Sequence, residues 1–352
     1  MDTKDNNPIM SAHITLINKP VGAIGYGMMG LTWRKEPPPQ SQAFEAMSTA
    51  LDRGANFWNG GEIYGTPERN SCHLLNEYFT KYPDQADKVV LSIKSGVKMG
   101  QMVPDGSEAN VRENVANCLR ILDGKKSIDI FECARVDPHV PIEETVRVLG
   151  ELVKEGKIGG IGLSEVKAST IERAAKVHPI AAVEVELSLW ATDILNNGVA
   201  ATCARLDIPI AAYSPLSRGA LTGVTIRRNA DISDNDPRKN FPRFQDDVLE
   251  HNNKITDEVE KIAHRKGVTK GQVAIAWVRG LSGRTIQTQD GELVTLGTII
   301  PIPGATLADR VIENSTIVEL TDEEMSEIAE VLKNNPIKGN RYPDHWLATL
   351  EG

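Results

Sequence analysis

Residues 128–163, IDIFECARVDPHVPIEETVRVLGELVKEGKIGGIGL, switch hydrophobic period twice. Ile128-Asp129-Ile130-Phe131 is a short run rich in β-branched and aromatic residues, the signature of a buried strand. From Pro141 to Glu155 the period becomes helical, with Thr145, Val148, Leu149, Leu152 and Val153 on one face. Pro141 lies near the start of that helix, and Gly156 follows its end as the residue that takes the left-handed C′ position. Ile158 to Leu163 is again a strand. A strand, a helix and a strand in close succession make a parallel β-α-β unit.

The same alternation extends in both directions. Val89 to Lys94, Ala182 to Val185 and Ile208 to Tyr213 read as further buried strands, and Ile299 to Ile302 as the eighth and last. Ala43 to Arg53, closed by Gly54, and Ser107 to Leu122, with Val111, Val115, Cys118 and Leu122 in phase, read as helices. Sustained from about residue 21 to about 315, the pattern predicts an α/β protein, a single-domain (β/α)8 TIM barrel rather than an open sheet. The domain is expected to take in residues 1–352, with its core at about 20–335, an N-terminal hairpin, and a C-terminal helix opened by Thr321 with Glu324 as its capping-box partner. Residues 284–297 read as an inserted hairpin on the barrel rim, with Asp290-Gly291 in a two-residue type I′ turn. The polar stretch 217–252 is either a loop over the active face or a surface excursion.

Composition narrows the function classes. The chain of 352 residues has a net charge of −9 and no lysine- or arginine-rich run, so no nucleic-acid partner is expected. No apolar stretch approaches about 18 residues, which argues against a membrane span. The start, MDTKDNNP, lacks the layout of a signal peptide, which points to the cytoplasm. Cys72, Cys118, Cys133 and Cys203 are far apart and form no CxxC pair; they are expected as free thiols, mostly core filler. His251 and His264 are too loosely spaced for a metal site, and none is expected. Oligomeric state is not legible.

Catalytic groups of such barrels sit at the carboxyl ends of strands. The run Gly54 to Gly65 carries a strand ending near Asn59 and a loop that delivers Tyr64; Lys94 ends the next strand. A lysine ammonium favours phenolate and so lowers a nearby phenol's pKa, which would make Tyr64 a usable general acid. Taken alone, the two residues fit a core tyrosine and a surface lysine better.

GANFWNGGEIYG (54–65) resembles the aldo-keto reductase signature GxNFxDTAxxYG. Residues 128–165, AYSPLSRGALTG (212–223) and IPIPGATLADRVIEN (300–314) resemble that family's later motifs, in the right order over roughly residues 20–335. The family's tetrad is Asp, Tyr, Lys and His. Here Tyr64 and Lys94 stand, with Asn59 at the aspartate position and Ala134 at the histidine position. Both departures are similar to the pattern of the pyridoxal reductase branch. Asn59 is expected to hydrogen-bond Lys94 without supplying a counter-charge, leaving Lys94 either to polarise Tyr64 more strongly or to lose its proton. Ala134 leaves room for a bulky ring. Glu132, on the face of Ile130 and Ala134, either pairs with Lys94 or is satisfied by hydrogen bonds inside the barrel; the second is the expectation.

The resemblance implies NADP(H) as cofactor, bound without a Rossmann fingerprint, and an NADPH-dependent reduction of an aldehyde such as pyridoxal. Gly27 and Met28 would lie near the nicotinamide, Tyr213 would stack on its ring, and Ser164, Glu165 and Glu184 would hold its carboxamide. Ser214, Pro215, Leu216, Arg218 and Gly219 would wrap the pyrophosphate. Gly304, Thr306, Arg310, Glu313 and Asn314 would meet the adenosine end, with Arg310 on the 2′-phosphate. A redox-neutral biosynthetic enzyme and a cofactor-binding regulatory subunit on the same barrel stay open as alternatives.

Overall fold

The computed structural model describes residues 14–98, 100–223, 225–344 and 350. The polar start at residues 1–8 lies outside them. Eight parallel strands follow one another in chain order around one sheet: β1 (Tyr26–Gly27), β2 (Phe57–Gly61), β3 (Val90–Ser95), β4 (Ile128–Cys133), β5 (Ile158–Ser164), β6 (Ile180–Glu186), β7 (Ile210–Tyr213) and β8 (Ile299–Pro301). The ends of the sheet meet. Gly25 N donates to Pro301 O at 2.9 Å, Gly27 N to Pro303 O at 3.1 Å, and a parallel bridge joins Gly27 to Gly304. This α/β arrangement is consistent with a (β/α)8 barrel.

Helices connect the strands: α1 (Gln40–Asp52), α2 (Ser71–Lys81), α3 (Glu108–Leu122), α4 (Ile142–Lys154), α5 (Ala168–Val177) and α6 (Val199–Arg205) each link one strand to the next. The long β7–β8 connection carries α7 (Asp246–Lys266) and α8 (Lys270–Gly280); α9 (Ala308–Ser315) and α10 (Asp322–Asn334) follow β8. The apolar stripe of α4 is buried through Thr145, Val148, Leu149 and Leu152, with Val153 half-buried at its edge. Thr321 caps α10 reciprocally with Glu324: Glu324 N donates to Thr321 Oγ1 at 3.2 Å and Thr321 N to Glu324 Oε2 at 2.8 Å. All four cysteines are buried and unbridged.

Alternation along the strands sorts the interior by height. Phe57, Val90, Ile130, Ala182, Ala211 and Ile300 form an apolar floor, sealed from below by Leu16 of the hairpin Thr15–Leu16/Lys19–Pro20. One pleat higher stand Asn59, Ser92, Glu132 and Glu184, all buried. At or just beyond the carboxyl ends of the strands, at the mouth, come Lys94, Ala134, Ser164, Glu186 and Tyr213.

Two local expectations change. The hairpin pairs Thr285–Gln287 with Leu293–Thr295, but Thr288 N donates to Glu292 O at 2.8 Å and Gly291 N to Thr288 O at 3.0 Å. Its loop is therefore the three residues 289–291, with only Gly291 at positive φ (88°), a type I turn followed by a bulge rather than a two-residue I′ turn. The stretch 217–252 is not one open loop. It folds into short helical turns that bury Ile232, Phe241 and Phe244 before α7 begins at Asp246. No helix of the described residues is long and apolar enough to cross a membrane.

Candidate active site

Tyr64 reaches the mouth because β2 ends in two glycines. A Cβ at Gly61 would lie 2.9 Å from Tyr64 Cδ2, so only glycine lets the ring fold back against the strand. Thr32 Oγ1 donates to Tyr64 O at 2.6 Å, and Trp33 stacks on the ring at 5.7 Å between centroids. Ile63, Val97 and Ala134 complete a small apolar cluster around Tyr64. Lys94 Nζ lies 5.8 Å from the centroid of the Tyr64 ring and 5.8 Å from that of Tyr213. The phenol and the ammonium thus meet at the carboxyl ends of the strands.

The electrostatics differ from the expectation. Burial raises the Tyr64 hydroxyl, and although Lys94 pulls it down, the balance leaves it pushed up to about 12. Lys94 lowers it less than the apolar surroundings raise it. Burial also opposes the charge on Lys94, but Glu184, Tyr64 and Glu132 outweigh that and hold it above the ordinary lysine range. Of the two possibilities left for Lys94, it keeps its proton.

Lys94 finds its partner on β6. Its Nζ forms a buried ion pair with Glu184 Oε1. Asn59 does not bond to Lys94 as expected. Its Nδ2 donates to Glu184 Oε2 at 2.5 Å and to Glu132 Oε1 at 2.9 Å, because β2 turns the amide toward the two carboxyls one pleat below the mouth. Ser92 Oγ adds a bond to Glu132 Oε1 at 2.8 Å. Glu132 is thus held by hydrogen bonds inside the barrel, as expected. Burial, then the neighbouring Glu184, pushes its carboxyl up to about 8 against the pull of Lys94 and Ser92.

Of the residues assigned to the cofactor, Ser164, Glu165, Glu184 and Tyr213 border this centre. Met28 N donates to Asn59 O at 2.8 Å, and Gly27 bridges to Gly304. Ser164 Oγ is buried with no hydrogen-bond partner among the described residues, as is Ser217 Oγ in the loop after β7. That loop, through Ser214, Pro215, Leu216, Arg218 and Gly219, takes left-handed backbone at Ser214, Ser217, Arg218 and Gly219. Leu216 and Glu313 both flank Gly271 of α8, which brings the loop beside α9. Thr306 O accepts from Gln42 Nε2 at 2.8 Å, Asn314 is buried, and Arg310 is exposed, its guanidinium 2.5 Å from Glu313 Oε2.

Three assignments meet competing partners. Both oxygens of Glu184 are engaged, by Lys94 and Asn59. Glu165 accepts from Tyr213 Oη at 2.7 Å and from both terminal nitrogens of Arg341, at 3.1 and 2.9 Å; burial would raise its carboxyl, but Arg341 and Tyr213 hold it below the ordinary range. Arg218 donates to Glu186 Oε2 at 2.9 Å and lies against the rings of Phe241 and Tyr342. Arg341 and Tyr342 carried no signal in the sequence: they follow the last barrel motif and belong to no periodic element. Trp33 could have been noticed only as an aromatic shortly after the run Gly25-Tyr26-Gly27-Met28-Met29-Gly30.

The model of the Aldo/keto reductase family matches residues 23–333. A Schizosaccharomyces pombe protein named "probable pyridoxal reductase 2" is 41% identical over 337 residues, which cover 94% of this chain and 97% of the relative. A Saccharomyces cerevisiae protein provisionally named a pyridoxal reductase is 39% identical over 90% of this chain and 95% of its own. Among solved structures, a glycerol dehydrogenase from Gluconobacter oxydans superposes with a TM-score of 0.79 at 23% identity, over 94% of this chain and 98% of that one. An aldo-keto reductase from Klebsiella pneumoniae in complex with NADPH superposes with a TM-score of 0.67 at 20% identity, over 98% of this chain and all of that one.

Proposed function

The chain belongs to the aldo/keto reductase family, and from that premise we propose that it reduces an aldehyde to an alcohol with NADPH, the substrate being pyridoxal or a related ring aldehyde. The observation that carries this reading is the buried Tyr64 beside the charged Lys94 at the barrel mouth. The names of the two yeast relatives support the substrate class.

The residues at the mouth fit the cofactor in part. The unpartnered hydroxyls of Ser164 and Ser217 are donors at the two segments assigned to carboxamide and pyrophosphate. With Glu184 committed to Lys94, the carboxamide falls to Ser164 and Glu165, whose Oε2 takes a single bond from Arg341 and has capacity for another donor. Bound NADPH supplies the hydride. Tyr64 stays protonated until about 12 and gives its proton to the carbonyl oxygen as that oxygen becomes alkoxide. Lys94 then stabilises the phenolate left behind. Ala134, where the family carries an imidazole, joins Ile63 and Val97 in an apolar wall beside Tyr64, a surface suited to the face of a substituted ring.

The test follows NADPH absorbance with pyridoxal and a panel of aldehydes. Wild type turns over ring aldehydes, and Tyr64→Phe lowers kcat by about 10²–10⁴ without loss of NADPH binding. Tight NADPH binding with no oxidation by any aldehyde would replace this reading with the regulatory one. Separate dissociation constants for NADPH and NADH check Arg310.

A further inference from the structure

Four buried groups from four strands form one connected unit below the reacting end of Tyr64. Lys94 on β3 pairs with Glu184 Oε1 on β6; Asn59 on β2 clamps Glu184 Oε2 at 2.5 Å; and the same amide holds Glu132 on β4 at 2.9 Å. Gly162 of β5 makes room for this, since a Cβ there would stand 2.9 Å from that of Glu132. A buried ammonium is unstable without a fixed counter-charge. The groups facing Lys94 are Glu184, Tyr64, Glu132 and the Tyr213 ring. Of these, Glu184 is the one in ion-pair contact.

We propose that Glu184, oriented by Asn59, is the positioning residue that keeps Lys94 charged and held toward Tyr64. The anionic partner of the catalytic lysine is thus delivered from β6, and the β2 position carries a neutral clamp instead of the charge. This rests on the reductase reading for its kinetic arm but not for its chemical one. Asn59 and Glu184 touch, so a carboxylate and a carboxamide can trade places between them with the buried charge unchanged.

The experiment compares wild type, Glu184→Gln, and Asn59→Asp/Glu184→Gln in two readouts. The first is the pH dependence of kcat for aldehyde reduction. In Glu184→Gln, a buried lysine without its partner loses its proton at lower pH, so kcat gains an alkaline limb that falls about tenfold per pH unit. Wild type lacks that limb up to pH 9, and the double variant loses it again. The second needs no cofactor: reductive methylation at pH 8, located by mass spectrometry on the Lys94 peptide. Only the neutral amine reacts, so labelling of Lys94 is expected to rise at least about tenfold in Glu184→Gln and to return toward wild type in the double variant.

Equal loss of activity at every pH in Glu184→Gln, with Lys94 labelling unchanged, would overturn the proposal. If Glu184→Gln does not fold, the charge-conserving double variant decides alone: an alkaline limb or rapid Lys94 labelling there overturns it, and wild-type behaviour in both supports it. A wild type that reduces no aldehyde would sink the reductase reading while the labelling arm still judges the pair.

Discussion

Glu132→Gln should make the protein more stable, and increasingly so as pH rises. In the folded chain Glu132 holds its proton up to about 8, where an ordinary glutamic acid loses it at 4.5. Between those values the folded state binds more protons than the unfolded state, so stability falls as pH rises through the window. Below 4.5 both states are protonated and the group contributes nothing. Moving proton loss from 4.5 to about 8 corresponds, at about 1.4 kcal/mol per tenfold in proton affinity, to a ceiling of about 5 kcal/mol. Asn59 and the paired Glu184 take up part of this, so a gain of roughly 2–5 kcal/mol is expected at pH 9. Glutamine is the informative replacement. Its oxygen can accept from Asn59 and Ser92 as Oε1 does, and its amide can donate toward Glu184 as a protonated carboxyl would. The assay is urea unfolding of both proteins at pH 5, 7 and 9. A variant-minus-wild-type difference that stays flat across that range would refute the reasoning, because it would mean Glu132 ionises in the folded barrel as readily as in water.

Three further outcomes follow from particular contacts. Gly61→Ala forces its Cβ against the Tyr64 ring, so kcat should drop about 10–100-fold while the NADPH dissociation constant holds; steady-state kinetics with a fluorescence titration separates the two. Arg341→Ala strands the buried carboxylate of Glu165 and should cost about 3–5 kcal/mol at pH 7 in urea unfolding. Because Arg341 holds that carboxyl below its usual range, the deficit should shrink as pH falls through the carboxylate range, where protonation removes the pair from wild type as well. Thr321→Ala removes the α10 cap and should lower stability by about 1 kcal/mol in the same assay, with kcat unchanged.

The order of strands and helices was legible because each connection repeats the same change of hydrophobic period, as between Ile128 and Leu163. The α10 cap was legible because Thr321 and Glu324 are three residues apart and need no tertiary partner. The hairpin turn was misread because Asp290-Gly291 suits two loop types, and the choice lies in whether Thr288 pairs with Glu292 across it. Tyr64 and Lys94 were found by motif, but not their energetics. The attraction to Lys94 could be inferred, whereas the desolvation by Trp33, Ile63, Val97 and Ala134 exists only once four separate segments converge. Likewise the partner of Lys94 stands 90 residues away on a strand three places round the sheet, and strand register alone brings it within reach. Arg341 lies beyond the barrel motifs, where no periodicity marked it.

Leu16 at the foot of the barrel has a consequence for proton traffic. With Leu16 packed under the apolar floor, the Glu132 acid is ringed by Asn59, Ser92, Glu184 and Lys94, none of them more than 4% exposed, so it trades its proton with bulk water slowly.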